Sequence, residues 1–223
     1  MQAIILAGGR GKRLSPITDY IPKSLIPLQN IPIIEWQIKY LKKFGVNEIV
    51  ICTGYKSKMI ENFIAMKNDF KAKITFSIEK VPLGTGGAIK QAGSLIKDKS
   101  FFVLNGDVIT NIDLHQLAKK LNSIASIELR TKFGVMDTRG DLVTIFKEKK
   151  QISDLWMNAG IYHLQKETLK DLPKKGDIEK KVFPDYAKKG LLHTVKFKDA
   201  HWYSIDSFND IEECSLEIDN MIK

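Results

Sequence analysis

The sequence predicts an α/β fold in which a mixed, mostly parallel sheet is flanked by helices. In the first half of the chain, short apolar runs alternate three times with segments of helical periodicity, a pattern typical of βαβ units. From residue 125 onward, strand-like runs follow one another with only turns between them, which indicates an antiparallel extension. A length of 223 residues suffices to bury the core of one large domain.

The first half of the chain contains alternating strands and helices. The predicted strands are the short apolar or β-branched runs at residues 3–6, 48–52, 73–78 and 101–104. The predicted helices have apolar residues at helical spacing and lie at residues 32–45, around 59–64 and at 86–96. In such a fold, a binding site is expected where the strands end at their carboxyl edge.

The second half mixes consecutive strands with later helices. Three or four strands are predicted within residues 125–164, with a turn at 138–141. A helix around 178–189, a strand around 191–197 and a closing helix from about Phe208 complete the chain. We expect the antiparallel stretch to supply the second half of a binding pocket.

Composition limits the classes of function. The formal net charge of +9 fits either a nucleic-acid surface or a protein that handles small anions, and the scatter of lysine pairs along the chain favours solvated helix faces. No apolar run is long enough to span a membrane, and no secretory leader is recognisable, so we expect a cytoplasmic protein. Cys52 and Cys214 have no metal-site spacing, which predicts free buried thiols.

A Gly-rich loop follows the first strand. Residues 7–11 read Ala-Gly-Gly-Arg-Gly, and the cations Lys12, Arg13 and Lys23 come soon after. Backbone N–H groups and cations in this order are suited to polyphosphate, although a Gly-rich turn with solvated lysines fits the glycines equally well. The string is neither a P-loop, because Arg13 follows Gly11-Lys12, nor a dinucleotide fingerprint, because Leu14 occupies the third glycine position.

The whole string, GG-x-G-x-RL followed by Pro-Lys, resembles the signature of the sugar-1-phosphate nucleotidyltransferase family. Enzymes of this family join a sugar 1-phosphate to a nucleoside triphosphate and release pyrophosphate. The resemblance covers nearly the whole chain and implies a Rossmann-like sheet with an antiparallel sugar-binding extension. It implies a single domain with a nucleotide-binding half at about residues 1–112 and a sugar-binding half at about 113–223. Many relatives also carry a C-terminal β-helix, and we expect no such domain in this sequence, which ends at Lys223.

Two Gly-rich segments are implied to bind the nucleotide. The second, LGTGGA at residues 83–88, is a plausible turn by itself but resembles the LGT-(A/G)-G segment that holds the base in relatives acting on mannose 1-phosphate and some heptose phosphates. The implied nucleotide contacts are Leu6, Ala7, Gly8, Gly9, Gly11, Gly84, Thr85, Gly86 and Gly87.

The resemblance also implies catalytic residues and a Mg²⁺ cofactor. Arg13 and Lys23 would stabilise the charge of the triphosphate, and Asp107, at the end of Leu104-Asn105-Gly106-Asp107, would bind the metal. Relatives usually read Trp-x-Asp-Ile-Gly where this chain has Trp-Tyr-Ser-Ile-Asp, so Ser204 stands at the matching position of the second metal-binding Asp. Asp206, two residues later, is our candidate for that second ligand.

Sugar-phosphate contacts are implied by three further segments. Phe146-Lys147-Glu148-Lys149 resembles the family's x-Glu-Lys motif, and Asn158 in Asn-Ala-Gly-Ile-Tyr follows about ten residues later. In the first motif the glutamate would accept sugar hydroxyls and the lysine would hold the sugar phosphate. The implied sugar-phosphate contacts are Gly134, Glu148, Lys149, Asn158 and Glu179.

We therefore interpret the chain as an enzyme that uses a nucleoside triphosphate and a sugar 1-phosphate, and most resembles the mannose-1-phosphate guanylyltransferases. The alternatives within the same reaction are UTP or dTTP with glucose 1-phosphate, GTP with heptose 1-phosphate, and CTP with glucose 1-phosphate. A catalytically weakened regulatory homologue, motivated by Ser204, and a basic nucleic-acid-binding domain are the competitors from other classes. We expect no nucleic-acid or membrane partner, and a homodimer.

Overall fold

The computed structural model describes residues 1–67, 69–131, 133–148 and 151–222. Its strands, in chain order, are β1 (Gln2–Ala7), β2 (Pro27–Leu28), β3 (Ile31–Pro32), β4 (Glu48–Thr53), β5 (Lys73–Ile78), β6 (Ser100–Asn105), β7 (Val108–Thr110), β8 (Ser123–Arg130), β9 (Val135–Arg139), β10 (Leu142–Lys147), β11 (Gln151–Gln165), β12 (His193–Lys196) and β13 (Trp202–Ser204). Its α-helices are α1 (Ile17–Tyr20), α2 (Ile33–Lys43), α3 (Ser57–Lys67), α4 (Gly84–Ala92), α5 (Leu114–Ala118), α6 (Ile178–Lys188) and α7 (Phe208–Ile222).

A seven-stranded sheet in the order β12-β8-β11-β6-β1-β4-β5 forms the centre of the fold. Only β11 runs against its neighbours, since β1, β4, β5 and β6 pair in parallel and β12 pairs in parallel with β8. The predicted α/β fold with a mostly parallel sheet is therefore confirmed. Each predicted strand of the first half lies within about a residue of its observed position because its apolar run is bounded by polar or glycine residues.

Helices cover both faces of this sheet. Alternate residues of β1 point to opposite faces, so Ile5 packs in one core with α2, α3 and α5, while Ile4 packs in another with α4 and α6. A third core lies under α7, where Ile218 packs with Leu14 of the N-terminal loop and Ile33 of α2. The closing helix thereby fixes the segment that follows β1.

The predicted antiparallel stretch is divided between two sheets. Strands β8 and β11 enter the main sheet, whereas β9 and β10 form a hairpin that is a separate two-stranded sheet. The predicted third helix is also shorter than expected, because α4 ends at Ala92 and a 3₁₀ turn, Gly93–Leu95, follows it. The hairpin thus stands apart from the layers that build the core.

Two further expectations concern the cysteines and the membrane. Cys52 and Cys214 are both buried and free, as predicted. Within the described part of the chain, none of the helices combines the length and the apolar character that crossing a membrane requires.

Candidate active site

A cleft of about 500 Å³ opens where β1 and β6 end at the carboxyl edge of the sheet. The two strands are parallel neighbours, with Leu6 beside Asn105 in the register. Beyond them the chains stay in contact, since the Gly106 N–H donates to the Leu6 carbonyl oxygen at 3.0 Å. A Cβ at residue 106 would lie 2.3 Å from that oxygen, so the close approach requires glycine and places Asp107 at the edge of the cleft.

Four charged side chains meet in this cleft. The Lys23 Nζ lies 2.6 Å from Asp107 Oδ2 and 2.8 Å from Asp206 Oδ1. Arg13 Nη2 also contacts Asp206 Oδ1, at 2.8 Å, although 75% of the arginine side chain is exposed. Lys23, at 13% side-chain exposure, is held between the carboxylates, whereas Arg13 is free on most sides to turn towards an anion.

Asp206, and not Ser204, brings the second carboxylate into the site. β13 ends at Ser204, whose hydroxyl donates to Asp206 Oδ2 at 3.1 Å. Burial alone would raise the pKa of Asp206, but the hydrogen bond and charge of Lys23, with Arg13 and Ser204, hold that pKa below its usual value. The carboxylate is therefore kept ionised in a partly buried position.

The donor set of this cleft suits a hard divalent cation. Asp107 and Asp206 share one cation, Lys23, and oxygen-rich pairs of this kind bind Mg²⁺ together with phosphate oxygens and water. Among the described residues, no group of three or more His, Cys, Asp and Glu side chains is arranged to hold a metal by itself. A metal at this position would thus rely on its substrates for the remaining ligands.

The opposite wall of the cleft is formed by the start of α4 and by Glu79. Gly84 begins α4 with a φ of +75° and packs against the backbone of Gly176, a conformation that favours glycine. The Glu79 carboxylate accepts the Leu83 N–H at 2.9 Å, and burial raises its pKa. Asp177, the residue that precedes α6, lines the same wall.

A chain of hydrogen bonds connects this wall to the residues predicted to bind the sugar. Thr85 donates its hydroxyl proton to Glu179 Oε2 at 2.5 Å, and Glu179 Oε1 accepts from the Tyr162 hydroxyl at 3.0 Å. Asn158 Nδ2 then donates to the same Tyr162 oxygen at 2.9 Å. Asn158 itself is exposed to solvent.

Gly134 and Glu148 come together on the hairpin side of the molecule. A Cβ on Gly134 would lie 3.1 Å from Glu148 Oε2 and 2.5 Å from Phe146 Cζ, so these residues are close neighbours. Neither residue lines the cleft. Lys149, the predicted phosphate-holding lysine, lies outside the described residues.

The structure gathers most of the predicted nucleotide and metal residues in one place. The predicted residues that line the cleft are Leu6, Ala7, Gly8, Gly9, Gly11, Arg13, Lys23, Gly84, Thr85, Asp107 and Asp206. Gly86 and Gly87 lie in the first turn of α4 behind Gly84 and are buried against the segment before α6. Sequence reasoning missed Glu79, Asp177 and Tyr162. Each had a positional signal, since Glu79 lies four residues before LGTGGA, Asp177 two residues before Glu179, and Tyr162 at the end of Asn-Ala-Gly-Ile-Tyr.

Residues 2–220 match the family model described as nucleotidyl transferase. The chain belongs to the nucleotidyl transferase family. The predicted family resemblance and enzyme class are thus confirmed.

Named relatives of this nucleotidyltransferase act, by their names, as guanylyltransferases. The chain is 38% identical over 198 residues to the D-glycero-alpha-D-manno-heptose 1-phosphate guanylyltransferase of Campylobacter jejuni, covering 84% of this chain and 87% of that protein. It is 34% identical to the mannose-1-phosphate guanylyltransferase catalytic subunit beta of Danio rerio, covering 94% of this chain but 62% of that protein. The crystal structure of HddC from Yersinia pseudotuberculosis complexed with GMP-PN superposes with a TM-score of 0.77 at 28% identity, covering 97% and 98% of the two chains.

Proposed function

We propose that this nucleotidyltransferase transfers GMP from GTP to the 1-phosphate of a manno-configured sugar, with D-glycero-α-D-manno-heptose 1-phosphate as the first candidate. The observation that carries the proposal is the cleft in which the Gly-rich loop, Lys23, Asp107 and Asp206 meet. The heptose assignment is supported by a relative of comparable length at 38% identity. Mannose 1-phosphate is the second candidate, because the Danio rerio relative aligns with 94% of this chain.

The reaction exchanges one phosphoanhydride bond for another. An oxygen of the sugar 1-phosphate attacks the α-phosphorus of GTP, and the bond from that phosphorus to the oxygen bridging to the β-phosphate breaks. Pyrophosphate leaves with the bonding electrons, so the chemistry needs no protein nucleophile. Catalysis of this kind depends on positioning and on neutralising charge.

Lys23 and Arg13 are proposed to supply that charge. Lys23 pairs with two carboxylates, Asp107 shortly after β6 and Asp206 after β13, so its ammonium group is already in the cleft when substrate arrives. Arg13 is mostly exposed and could exchange its contact with Asp206 for the triphosphate. The loop glycines at residues 8–11 leave the backbone open to the β- and γ-phosphates.

Mg²⁺ is the proposed cofactor, held by Asp107 and Asp206. When bound, it would supply positive charge to the phosphate oxygens. The carboxylates can serve this purpose because Lys23, which now lies between them, has a flexible four-carbon stem and can move to the phosphates. Ser204 contributes by orienting Asp206 through its hydroxyl.

Guanine recognition is proposed to rest on Glu79. A carboxylate accepts hydrogen bonds only, and guanine presents two neighbouring donors, the N1–H and the 2-amino group. Uracil and thymine present one donor on the matching edge, so they would leave part of the carboxylate unpaired. The raised pKa of Glu79, caused by burial, indicates that the free carboxylate lacks sufficient solvation, which two donors from the base would supply.

The sugar phosphate is proposed to lie towards Gly134, Glu148, Asn158 and Glu179, with Lys149 beside Glu148 in the chain. Asn158 is exposed and Glu179 is partly buried, so both have polar atoms that a ligand can reach. We also propose that the chain is one domain, with a nucleotide-binding half at about 1–112 and a sugar-binding half at about 113–223. The protein is proposed to be a homodimer that acts in the cytoplasm.

A panel assay tests the proposal. Pyrophosphate release is measured for GTP, ATP, CTP, UTP and dTTP, each with the 1-phosphates of D-glycero-α-D-manno-heptose, mannose and glucose. We expect GTP with a manno-configured sugar to give the highest kcat/KM, by about a hundredfold over the other bases. A preference for UTP or dTTP with glucose 1-phosphate would overturn the substrate assignment.

Lys23→Met tests the proposed charge in the cleft. We expect kcat to fall by about a thousandfold, since an ammonium group acting on developing charge is lost. Lys58→Met is the matched control, because Lys58 pairs with Glu61 on the surface of α3 at 81% exposure and should change kcat by less than about twofold. Near-normal activity of Lys23→Met would exclude the role given to Lys23.

A further inference from the structure

The hydroxyl of Tyr162 joins the two proposed substrate sites. Its side chain is fully buried, at 0% exposure, on β11. The hydroxyl oxygen accepts a hydrogen bond from Asn158 and donates one to Glu179. This buried hydroxyl therefore has a fixed orientation, because its donor and its acceptor role are each satisfied by a side chain, one on β11 and one on α6.

Asn158 is held at both ends of its amide. Its Oδ1 accepts the Gly160 N–H at 2.8 Å, while its Nδ2 donates to Tyr162 at 2.9 Å. The Gly160 N–H contact excludes the flipped amide, which would place two N–H donors against each other, and the Tyr162 hydroxyl accepts from Nδ2 while it donates to Glu179. One N–H and one oxygen lone pair remain for a ligand, which is the pair of groups that a sugar hydroxyl can use.

The same chain of bonds continues to the nucleotide wall. Glu179 accepts from Tyr162 with one oxygen and from Thr85 with the other, and the Thr85 oxygen accepts the Ile178 N–H at 3.0 Å. Burial and the nearby Glu179 charge raise the pKa of Tyr162, so the phenol stays protonated and keeps its donor role. Thr85 itself lines the nucleotide cleft.

We propose that Tyr162 is a positioning residue, which fixes the Asn158 amide for the sugar and links it through Glu179 to Thr85 beside the nucleotide. Tyr162 touches neither substrate and acts through its two partners. The inference rests on the proposed function, in which Asn158 contacts the sugar of the acceptor phosphate.

Tyr162→Phe removes the hydroxyl and keeps the ring. The ring packs edge to face on Phe183, with centroids 4.9 Å apart, so the core contact survives. Without the hydroxyl, the Asn158 amide loses one of its two anchors and Glu179 loses a donor. We expect KM for the sugar 1-phosphate to rise by about tenfold, with kcat and the KM for GTP changed by less than about twofold.

Tyr186→Phe is the matched control. Tyr186 lies on α6 in the same core as Tyr162, and its hydroxyl donates to Asp171 at 2.5 Å, away from the cleft. The same chemical change there should leave all kinetic constants within about twofold. A rise in KM for both variants would mean that the loss of a buried hydroxyl is a structural effect, and would overturn the proposal.

A double-mutant cycle separates positioning from structure. If Tyr162 acts in part through Asn158, the effect of Tyr162→Phe on KM is smaller in an Asn158→Ala background than in wild type, and the effect that remains is due to Glu179. An undiminished, additive effect in that background would contradict the proposal.

A measurement on the free protein is independent of the choice of substrate. We expect the side-chain amide resonances of Asn158, assigned by their absence in Asn158→Ala, to shift in Tyr162→Phe and to stay unchanged in Tyr186→Phe. Unchanged resonances in Tyr162→Phe would overturn the positioning role. Shifted resonances in a protein without guanylyltransferase activity would instead remove the proposed function and leave the positioning role in place.

Discussion

Glu79 is a single residue at which stability and function oppose one another. Its carboxylate is partly buried, its one described side-chain hydrogen bond is to the Leu83 N–H, and its pKa is raised by burial. The folded state therefore holds the Glu79 proton more tightly than the unfolded chain, whose glutamate has a pKa of about 4.3. Its contribution to the free energy of unfolding is most favourable below that pKa and is lost as the pH rises through the higher pKa of the folded state.

Glu79→Gln should therefore stabilise the free protein at neutral pH and weaken the choice of base. Relative to wild type, we expect a higher free energy of unfolding at about pH 7 and a smaller difference at about pH 4, measured by urea unfolding. ITP lacks the 2-amino group of GTP, so wild type should have a higher kcat/KM for GTP than for ITP. In the variant, the ratio of these two kcat/KM values should be about tenfold smaller.

Glu212→Gln on the exposed surface of α7 is the control for the Glu79 variant. It should leave the free energy of unfolding at about pH 7 and the preference for GTP over ITP unchanged. If Glu79→Gln kept the full preference for GTP over ITP, the base would be read by another group, and Asp177 on the same wall would be the next candidate.

At the scale of elements, the hairpin of β9 and β10 is the least integrated part of the described fold. Its strands pair only with each other, and every residue of β10 is exposed. A two-stranded sheet has little stability by itself in water. The hairpin can therefore be disturbed without loss of the main sheet, although Gly134 and Glu148 flank it.

Gly134→Ala should affect the acceptor and spare the nucleotide. The new methyl group would meet Phe146 at 2.5 Å and Glu148 at 3.1 Å, so both side chains must shift. We expect KM for the sugar 1-phosphate to rise by about tenfold, with an unchanged stabilisation by GTP in a thermal melt. Asp141→Ala, at the exposed turn of the same hairpin, should leave both quantities unchanged. Loss of GTP binding in Gly134→Ala would contradict the division between the two sites.

Elements with a local pattern could be predicted from the sequence, and contacts between distant segments could not. Strands β1, β4 and β5 follow directly from short apolar runs. The placement of β8 and β11 in the main sheet depends on their pairing with β6 and β12, which periodicity does not encode. Family motifs identified most of the cleft residues. They did not show whether Asp206 enters the site, and this becomes clear from its contact with Lys23, 183 positions away.

The Tyr162 network illustrates the same limit within the site. Thr85 and Glu179 are 94 positions apart and meet only because α4 packs on α6. The motif Asn-Ala-Gly-Ile-Tyr assigned a role only to Asn158, and the Tyr162 hydroxyl acquires its two partners only in the folded chain. Polar groups of this kind become recognisable when the burial of each atom is known.

The net charge of the whole molecule fits either nucleic acid or small anions as partners, and the structure favours small anions. The net charge of +9 comes from 35 lysines and arginines against 26 acidic residues. In the cleft, Lys23 and Arg13 face two carboxylates, a balanced arrangement that suits a small anion arriving with a cation. A nucleic-acid groove would instead need an unbalanced row of cations along one face.

GTP with Mg²⁺ should therefore stabilise the whole molecule, while nucleic acid should not. A ligand at a hundred times its Kd adds about 2.7 kcal/mol to the free energy of unfolding, which for a chain of this size corresponds to a rise in Tm of about 5 to 10 °C. The measurement is a thermal melt in about 150 mM salt with GTP and Mg²⁺, with ATP and Mg²⁺, or with a duplex DNA or RNA oligonucleotide. Asp107→Asn should reduce the stabilisation by GTP with Mg²⁺, because the cleft then loses one of the two carboxylates proposed to hold the metal. Equal stabilisation by the oligonucleotide, with a steep dependence on salt, would favour the nucleic-acid-binding alternative, since counterion release and not a specific cleft would then dominate binding.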